Sequence, residues 1–138
     1  MDRPGPIMKY EAVTHDIRVA VEPKFLADQS SPQHSHYVWA YSVEIENLGV
    51  RPVQLINRYW CITDANGRRE EVRGPGVVGE QPLIAPGRRF EYTSGAPLKT
   101  PSGIMSGRYE MDDRNGGRFE VEIPAFSLDS PHQTIQLN

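Results

Sequence analysis

The sequence predicts an all-β chain that folds as an immunoglobulin or fibronectin III-like antiparallel β-sandwich, with about seven strands in a Greek-key order. Two observations support this prediction. Short segments alternate apolar with polar residues at a period of two, as half-buried strands do. Turn signals rich in Gly, Pro and Asn-Gly separate these segments, and no segment shows the helical repeat of about 3.6 residues. The 12 glycines and 12 prolines are spread between the apolar runs, which excludes a low-complexity tract.

The first half of the chain contains the clearest strands. Ile17, Val19 and Val21 alternate with polar residues, and a polar loop follows over 27–36. The next strand has five large apolar residues on one face: Tyr37, Trp39, Tyr41, Val43 and Ile45. A helix would scatter these side chains around its axis, whereas a strand places them on one side.

The third run, over 53–63, is apolar on both faces. Its alternation assigns Leu55, Tyr59 and Cys61 to one face and Ile56, Trp60 and Ile62 to the other. Two interpretations remain open. The run is either a central strand covered on both sides, or a strand whose outer face meets a partner.

The second half of the chain continues in short strands. Asn66-Gly67 predicts a hairpin turn into a charged strand over 69–73. Further strands are expected around 90–92, 105–111 and 119–123. Tyr109 is either a tyrosine corner, with its hydroxyl bonded to the main chain, or an ordinary core tyrosine.

Size and charge limit the classes of protein to which the chain can belong. Its 138 residues suit one domain that needs no disulfide or metal to fold. We expect a loose N-terminal tail over 1–12, the sandwich domain over 13–128 and a C-terminal tail over 129–138. The net charge of -3 argues against nucleic-acid binding. No run approaches the ~20 apolar residues of a membrane span, and Cys61 is the single cysteine, so a cytoplasmic protein is expected.

The stretch from Gly74 to Gly79 matches the Gly-x-Gly-x-x-Gly pattern of dinucleotide-binding folds. That pattern acts at the start of a helix, but no helical sequence follows here and Pro75 removes an amide donor. We therefore interpret the stretch as a structural loop that needs glycine for its backbone path. A second interpretation stays open, in which Arg73, Gly74, Gly76 and Gly79 bind an anion such as pyrophosphate through backbone amides.

Two loop histidines are candidates for a metal site. His34 and His36 form a His-x-His pair, and further ligands would have to come from His15, His132 or Asp28. The alternative is a pair of solvated loop histidines, so no metal and no cofactor are assigned.

The sequence shows no catalytic set. Cys61 lies in the middle of a strand, where a small buried apolar role is more typical than thiolate chemistry. The adjacent carboxylates of Glu70-Glu71 and of Asp112-Asp113 would point to opposite faces of a strand. Neither pair therefore makes a carboxylate dyad.

Several motifs occur together in one order along the chain. They are W-A-Y-S-V-E-I-E-N at 39–47, R-Y-W at 58–60, I-T-D at 62–64, V-R-G-P-G-V-V-G-E-Q-P at 72–82, F-E-Y-T-S-G at 90–95, M-x-G-x-Y at 105–109 and F-E-V-E-I-P-A-F at 119–126. With these motifs the sequence resembles the bacterial ApaG family over roughly Val13 to Leu128.

The resemblance implies a fibronectin III-like sandwich and an association with cobalt and magnesium tolerance. It also implies protein contacts, because the family is similar to domains of eukaryotic F-box proteins and of a polymerase-interacting protein. Within the family the glycine stretch has been interpreted as a pyrophosphate site, which here would comprise Gly74, Gly76 and Gly79.

We therefore expect a non-catalytic binding module with an indirect role in divalent-cation homeostasis. Its ligand would be a protein partner or a phosphate-bearing small molecule, and a homodimer is a further alternative. The rival hypothesis is an enzyme that hydrolyses dinucleoside polyphosphates with the glycine loop and Arg73. A soluble metal binder that uses His34 and His36 is a third hypothesis.

Overall fold

The structure, a computed structural model, describes residues 9–133. These residues form nine strands and two short 3₁₀ turns, at Ala27–Gln29 and Pro32–His34. The strands are β1 (Tyr10–Thr14), β2 (Ile17–Phe25), β3 (Tyr37–Asn47), β4 (Val53–Asp64), β5 (Arg69–Pro75), β6 (Leu83–Ile84), β7 (Arg89–Leu98), β8 (Gly103–Asp112) and β9 (Arg118–Leu128). No helix of the described part is long and apolar enough to cross a membrane.

Two antiparallel sheets form a sandwich, as predicted. The first sheet has the order β1-β2-β3-β7, and the second has the order β5-β4-β8-β9, with the short β6 paired to β4. Strands β3 and β7 are neighbours although three strands of the other sheet separate them in sequence, and this crossing between sheets is the expected Greek-key arrangement. The strand count exceeds about seven because β1 and β6 are too short to show an alternating pattern.

The core lies between the sheets and is rich in aromatic side chains. The rings of Tyr41, Trp60 and Phe126 pack against one another with centroids 5.2–6.0 Å apart. The alternation predicted for β3 is confirmed, since every second residue from Tyr37 to Asn47 is buried. The alternation therefore identified the inner face of this strand correctly.

A bulge in β4 corrects the predicted faces of that strand. Leu55 pairs with Met111 but Asn57 pairs with Glu110, so Ile56 is one extra residue in β4. The extra residue reverses the alternation, because a shift of one position turns side chains to the opposite face. Leu55 is consequently buried in the core together with Trp60, and does not share a face with Tyr59 and Cys61.

Ordered structure extends into both of the predicted tails within the described residues. Strand β1 begins at Tyr10, within the stretch 1–12, because pairing with β2 stabilises a segment too short to be recognised by its pattern. Beyond Leu128, the Trp39 indole Nε1 donates a 2.8 Å hydrogen bond to the Asp129 carbonyl, and Ser130 is buried. Residues 1–8 and 134–138 lie outside the described part of the chain.

The two sides of the sandwich differ. On one side β1 and β2 pack against β9 and cover the core. On the other side lie β7 and β5, the edge strands of the two sheets. Crevices open between β7 and the second sheet, and the glycine loop lies beside one of them.

Candidate functional site

The glycine loop forms a tight turn that follows β5. Val77 and Glu80 exchange two backbone hydrogen bonds of 2.8 and 2.9 Å. Between them Val78 and Gly79 both have positive φ angles, 44° and 81°, as in the type I′ turns of hairpins. The chain then continues to β6 and no helix follows, so the dinucleotide-fold arrangement is absent from this loop.

Gly76 is required by the path of this loop. Its φ of +61° suits glycine, and a Cβ at this position would overlap the Glu80 carbonyl oxygen. Its amide donates a 2.8 Å hydrogen bond to the Ile56 carbonyl. The amides of Gly76, Val77 and Glu80 are thus bonded within the protein, and the structural interpretation explains the glycine at 76.

The guanidinium beside the loop belongs to Arg58. Its Nη1 donates to the carbonyl oxygens of Pro75 and Gly76 at 2.8 and 2.9 Å. Gly74 lies directly opposite Arg58 in the neighbouring strand, and a Cβ there would approach the guanidinium to 3.0 Å. Gly74 therefore leaves the space in which the Arg58 side chain reaches the loop.

Three tyrosines of the interior lie near Arg58. The hydroxyls of Tyr92 and Tyr109 are hydrogen-bonded to each other, so Tyr109 is a core tyrosine whose hydroxyl has a side-chain partner. Burial raises the pKa of Tyr41, Tyr92 and Tyr109, and the nearby Arg58 cation opposes this shift. The three phenols therefore stay neutral at physiological pH and offer hydrogen bonds, not a base.

These groups meet in a crevice of about 230 Å³ between β7 and the glycine loop. Arg58, Gly79, Tyr92 and Ser94 are among its lining residues. Within residues 9–133 no carboxylate lies within 4.0 Å of the Arg58 guanidinium, which donates instead to two backbone carbonyls. The crevice therefore presents a positive charge to whatever enters it.

Arg73 does not lie in this crevice. Its side chain points to the outer face of the second sheet, where its Cζ lies 4.7 Å from the centroid of the Tyr59 ring. An ion pair of 3.3 Å joins it to Glu71. The predicted anion set is thus divided: Arg73 and Gly74 line an outer pocket, whereas Gly79 lines the crevice.

The outer pocket, of about 420 Å³, surrounds Tyr59. Tyr59 lies in β4, and its direct neighbours in β5 and β8 are Arg73 and Arg108. The Arg108 Cζ is 4.1 Å from the ring centroid, so a guanidinium lies on each side of the ring. We call Arg73, Tyr59 and Arg108 the arginine–tyrosine row. Glu120, which also lines the pocket, forms an ion pair of 3.5 Å with Arg108.

The candidate metal residues are not brought together. His34 bonds through Nδ1 to the Ser31 hydroxyl at 2.7 Å, His15 packs on Phe119, and His132 packs on Phe25. Among residues 9–133 there is no group of three His, Cys, Asp or Glu side chains that could hold a metal ion. The two loop histidines therefore lack the further ligands that a metal site would need.

Cys61 has a different environment from the one predicted. It is buried, but on the outer face of β4, where Arg69 donates from Nη2 to its sulfur at 3.2 Å. The bulge at Ile56 explains this position, because it turns Cys61 away from the core.

The sequence analysis did not predict that Arg58 reaches the glycine loop or that the hydroxyls of Tyr92 and Tyr109 are hydrogen-bonded to each other. One signal was present: Arg58 lies two residues from Trp60 and so on the core-facing side of an apolar strand. A charged residue in that position calls for an explanation in terms of a partner or a site. The pairing of Tyr92 with Tyr109 had no such signal, because it joins strands of different sheets.

Comparisons with known proteins agree with this architecture. A family model described as the ApaG domain matches residues 27–113. Protein ApaG of Paramagnetospirillum magneticum is 61% identical over 129 residues, which cover 94% of this chain and 99% of that protein. Protein ApaG of Parvibaculum lavamentivorans is 63% identical with the same coverage.

A solved structure is also similar. The crystal structure of an ApaA protein from Bordetella pertussis superposes with a TM-score of 0.82 at 49% identity, and covers 93% of this chain and 100% of that chain. The sandwich order, the family model and the relatives agree, and this chain belongs to the ApaG family.

Proposed function

We propose that the protein is a non-catalytic, cytoplasmic binding module that engages a protein partner through the outer face of its second sheet. The observation that carries this proposal is the arginine–tyrosine row in its pocket of about 420 Å³. Tyrosine and arginine are the side chains enriched among the residues that dominate binding energy at protein interfaces.

The second sheet positions the arginine–tyrosine row before any partner binds. Tyr59 projects from the central strand β4, and the backbones of β5 and β8 fix its two arginine neighbours in register. The backbone positions of the three residues are thus fixed before binding, and preorganisation of this kind favours affinity. Arg73 and Arg108 remain substantially exposed, at 66% and 43%, so both guanidiniums are available to an acidic group of a partner.

Affinity capture with quantitative mass spectrometry tests this proposal. The wild-type chain and a Tyr59→Ser/Arg108→Glu variant would be compared with a Ser42→Ala control, whose change lies on the outer face of the other sheet. A partner retained by wild type and control but lost by the double variant supports the proposal. Equal recovery by all three, together with a chain that stays monomeric, contradicts it.

The role in cobalt and magnesium tolerance would be indirect in this proposal. The protein would act through its partner, and the described residues offer no group of three metal-binding side chains. In a strain that lacks the gene, wild-type protein should restore growth at elevated cobalt, and the Tyr59→Ser/Arg108→Glu variant should not. Full restoration by the double variant would separate cation tolerance from this surface.

A second candidate function rests on the crevice. Arg58 lies there beside Gly79 and neutral hydroxyls, which is a chemistry that suits a phosphate-bearing small ligand. Titration with pyrophosphate, followed by nuclear magnetic resonance, should shift the amides of 76–81 in wild type and spare them in Arg58→Gln. Arg73→Gln is the control, since Arg73 lies outside the crevice. If pyrophosphate causes no amide shifts, the crevice does not bind such a ligand. If the protein also fails to hydrolyse a dinucleoside polyphosphate, the enzymatic hypothesis is contradicted as well.

A further inference from the structure

Among the strands of residues 9–133, none pairs with the outer side of β7. The backbone N–H of Asn47 donates to the Arg88 carbonyl at 3.0 Å, just before β7 begins. Backbone bonding alternates along an antiparallel pair, so in the β3–β7 register the even-numbered residues of β7 are the ones that bond to β3. The amides and carbonyls of Arg89, Glu91, Thr93 and Gly95 consequently point away from the sheet. Pro97 follows this pattern, because proline is tolerated where no ladder amide is needed.

The two edge strands of the open side are protected to different degrees. In β5 four of seven residues are charged, the Arg73–Glu71 ion pair lies along the strand, and Pro75 ends it. Charges and prolines of this kind block the addition of a further strand. In β7 the charged residues Arg89 and Glu91 and the proline Pro97 flank the stretch from Thr93 to Ala96, which itself holds only small, uncharged residues, so a strand can approach its backbone there.

Two crevices follow the inner side of this edge. The first, of about 230 Å³, is bordered by Ser94 of β7, and the second, of about 360 Å³, by Leu98. Four residues of a strand span roughly 13 Å, so residues i and i+4 of an added strand would meet the two crevices. Recognition by strand addition combines these features, with backbone bonds for affinity and pockets for alternate side chains.

The chemistry of the two crevices differs. The first contains the Arg58 guanidinium, which lacks a carboxylate partner within the described residues, so it suits an acidic side chain. The second is lined by Ile62, Pro97 and Leu98 as well as by charged residues, and its apolar part suits an aliphatic side chain.

We propose that the free edge of β7 accepts an extended peptide segment of a partner protein as a fifth strand of the first sheet. In the antiparallel orientation, the commoner one, an aliphatic residue meets Leu98 and a Glu or Asp four positions later meets Arg58. This surface lies apart from the arginine–tyrosine row, so its test is independent of the first function proposed above, whereas it shares Arg58 with the second candidate.

Fluorescence polarisation with a labelled heptapeptide, Thr-Leu-Thr-Val-Thr-Glu-Thr, tests this inference on the full chain. We expect saturable binding, and roughly tenfold weaker binding when the peptide Glu is replaced by Gln, since about 1.4 kcal/mol is tenfold in affinity. A peptide with N-methylated backbone at alternate positions should not bind. Because these changes are made in the peptide, the fold of the protein is not at risk.

Two proline variants examine the edge itself. Thr93→Pro removes an outward amide of β7, and Glu71→Pro makes the matched change at an outward position of β5. Binding should fall about tenfold or more in the first variant and stay unchanged in the second, with both folds checked by amide spectra. Peptide addition should protect the amides of Glu91, Thr93 and Gly95 from hydrogen exchange.

Three outcomes overturn the inference. The first is no binding of this peptide or of its reversed sequence at millimolar concentration. The second is equal loss of affinity in both proline variants. The third is protection of the Thr93 amide that grows with protein concentration without peptide, which would make a second copy of the chain the occupant of the edge.

Discussion

The outer faces of the two sheets use arginine in opposite ways. On the first sheet Arg18 lies among the carboxylates of Glu11, Glu44 and Glu46, at 2.6, 2.9 and 3.3 Å. On the second sheet the guanidiniums of Arg73 and Arg108 lie against an aromatic ring, and within the described part of the chain one carboxylate contacts each. The first face satisfies its own charges, whereas the second keeps its guanidiniums open to a partner. A sheet face can thus be used for stability or for recognition with the same side chain.

The largest effect is expected for Gly76→Val, which should disturb the structure of the second sheet and leave that of the first sheet unchanged. A side chain at 76 overlaps the Glu80 carbonyl and adopts an unfavourable φ, so we expect a loss of roughly 2–4 kcal/mol in the free energy of unfolding. Amide shifts should spread over β4 and β5 and leave the Arg18 network unchanged. Gly79→Ala, where a Cβ meets nothing within 4 Å, is the control and should lose only about 1 kcal/mol.

Removal of one arginine from each face makes the comparison direct. Arg18→Gln should lower the free energy of unfolding by about 1–2 kcal/mol, because Glu11 and Glu46 lose the cation that they contact and Glu44 keeps only Arg89 and Lys9. Arg108→Gln should change it by no more than about 0.5 kcal/mol, since its ion pair is exposed. Urea unfolding measures both, and equal losses would show that the two faces do not differ in this way.

Acid should weaken the ion-pair network of the first face. The hydrogen bond from Arg18 holds the pKa of Glu44 below its ordinary value of 4.5. A carboxyl whose pKa is lowered by folding stabilises the protein above its unfolded pKa, and that stabilisation is lost as the pH falls through the folded pKa. Wild type should therefore lose stability on acidification from about pH 7 to about pH 3, and Glu44→Gln should lose less. An identical pH profile for the two proteins would contradict this.

The smallest effect is expected for Tyr59→Phe. The ring that lies between the two guanidiniums is retained, so stability should stay within about 0.5 kcal/mol of wild type and partner capture should persist. Tyr59→Ser removes the ring and should abolish capture at similarly small cost in stability. Loss of capture in the phenylalanine variant would instead assign recognition to the hydroxyl.

The fold followed from the sequence wherever a strand carries its own alternating pattern. Strand β3 is the clearest example, because its burial is set by one uninterrupted period of two. Strand β1 was missed, since five residues hold too few repeats and depend on pairing with β2. The site was harder to predict. Arg73 is next to the glycines in sequence, but the pleat turns its side chain to the outer face, and Arg58 reaches the loop from the neighbouring strand. Contacts between strands of this kind cannot be obtained from spacing along one chain segment.

The extra residue at Ile56 determines which residues of β4 face the core. Before it, odd-numbered residues face inward, as Leu55 does, and after it even-numbered residues do, as Trp60 does. A chain one residue shorter at this point would expose Trp60 and Arg58 to solvent and turn Tyr59 inward, so that the crevice would lose its cation and the outer pocket its ring. Both candidate surfaces therefore depend on a single insertion that contributes no side chain to either.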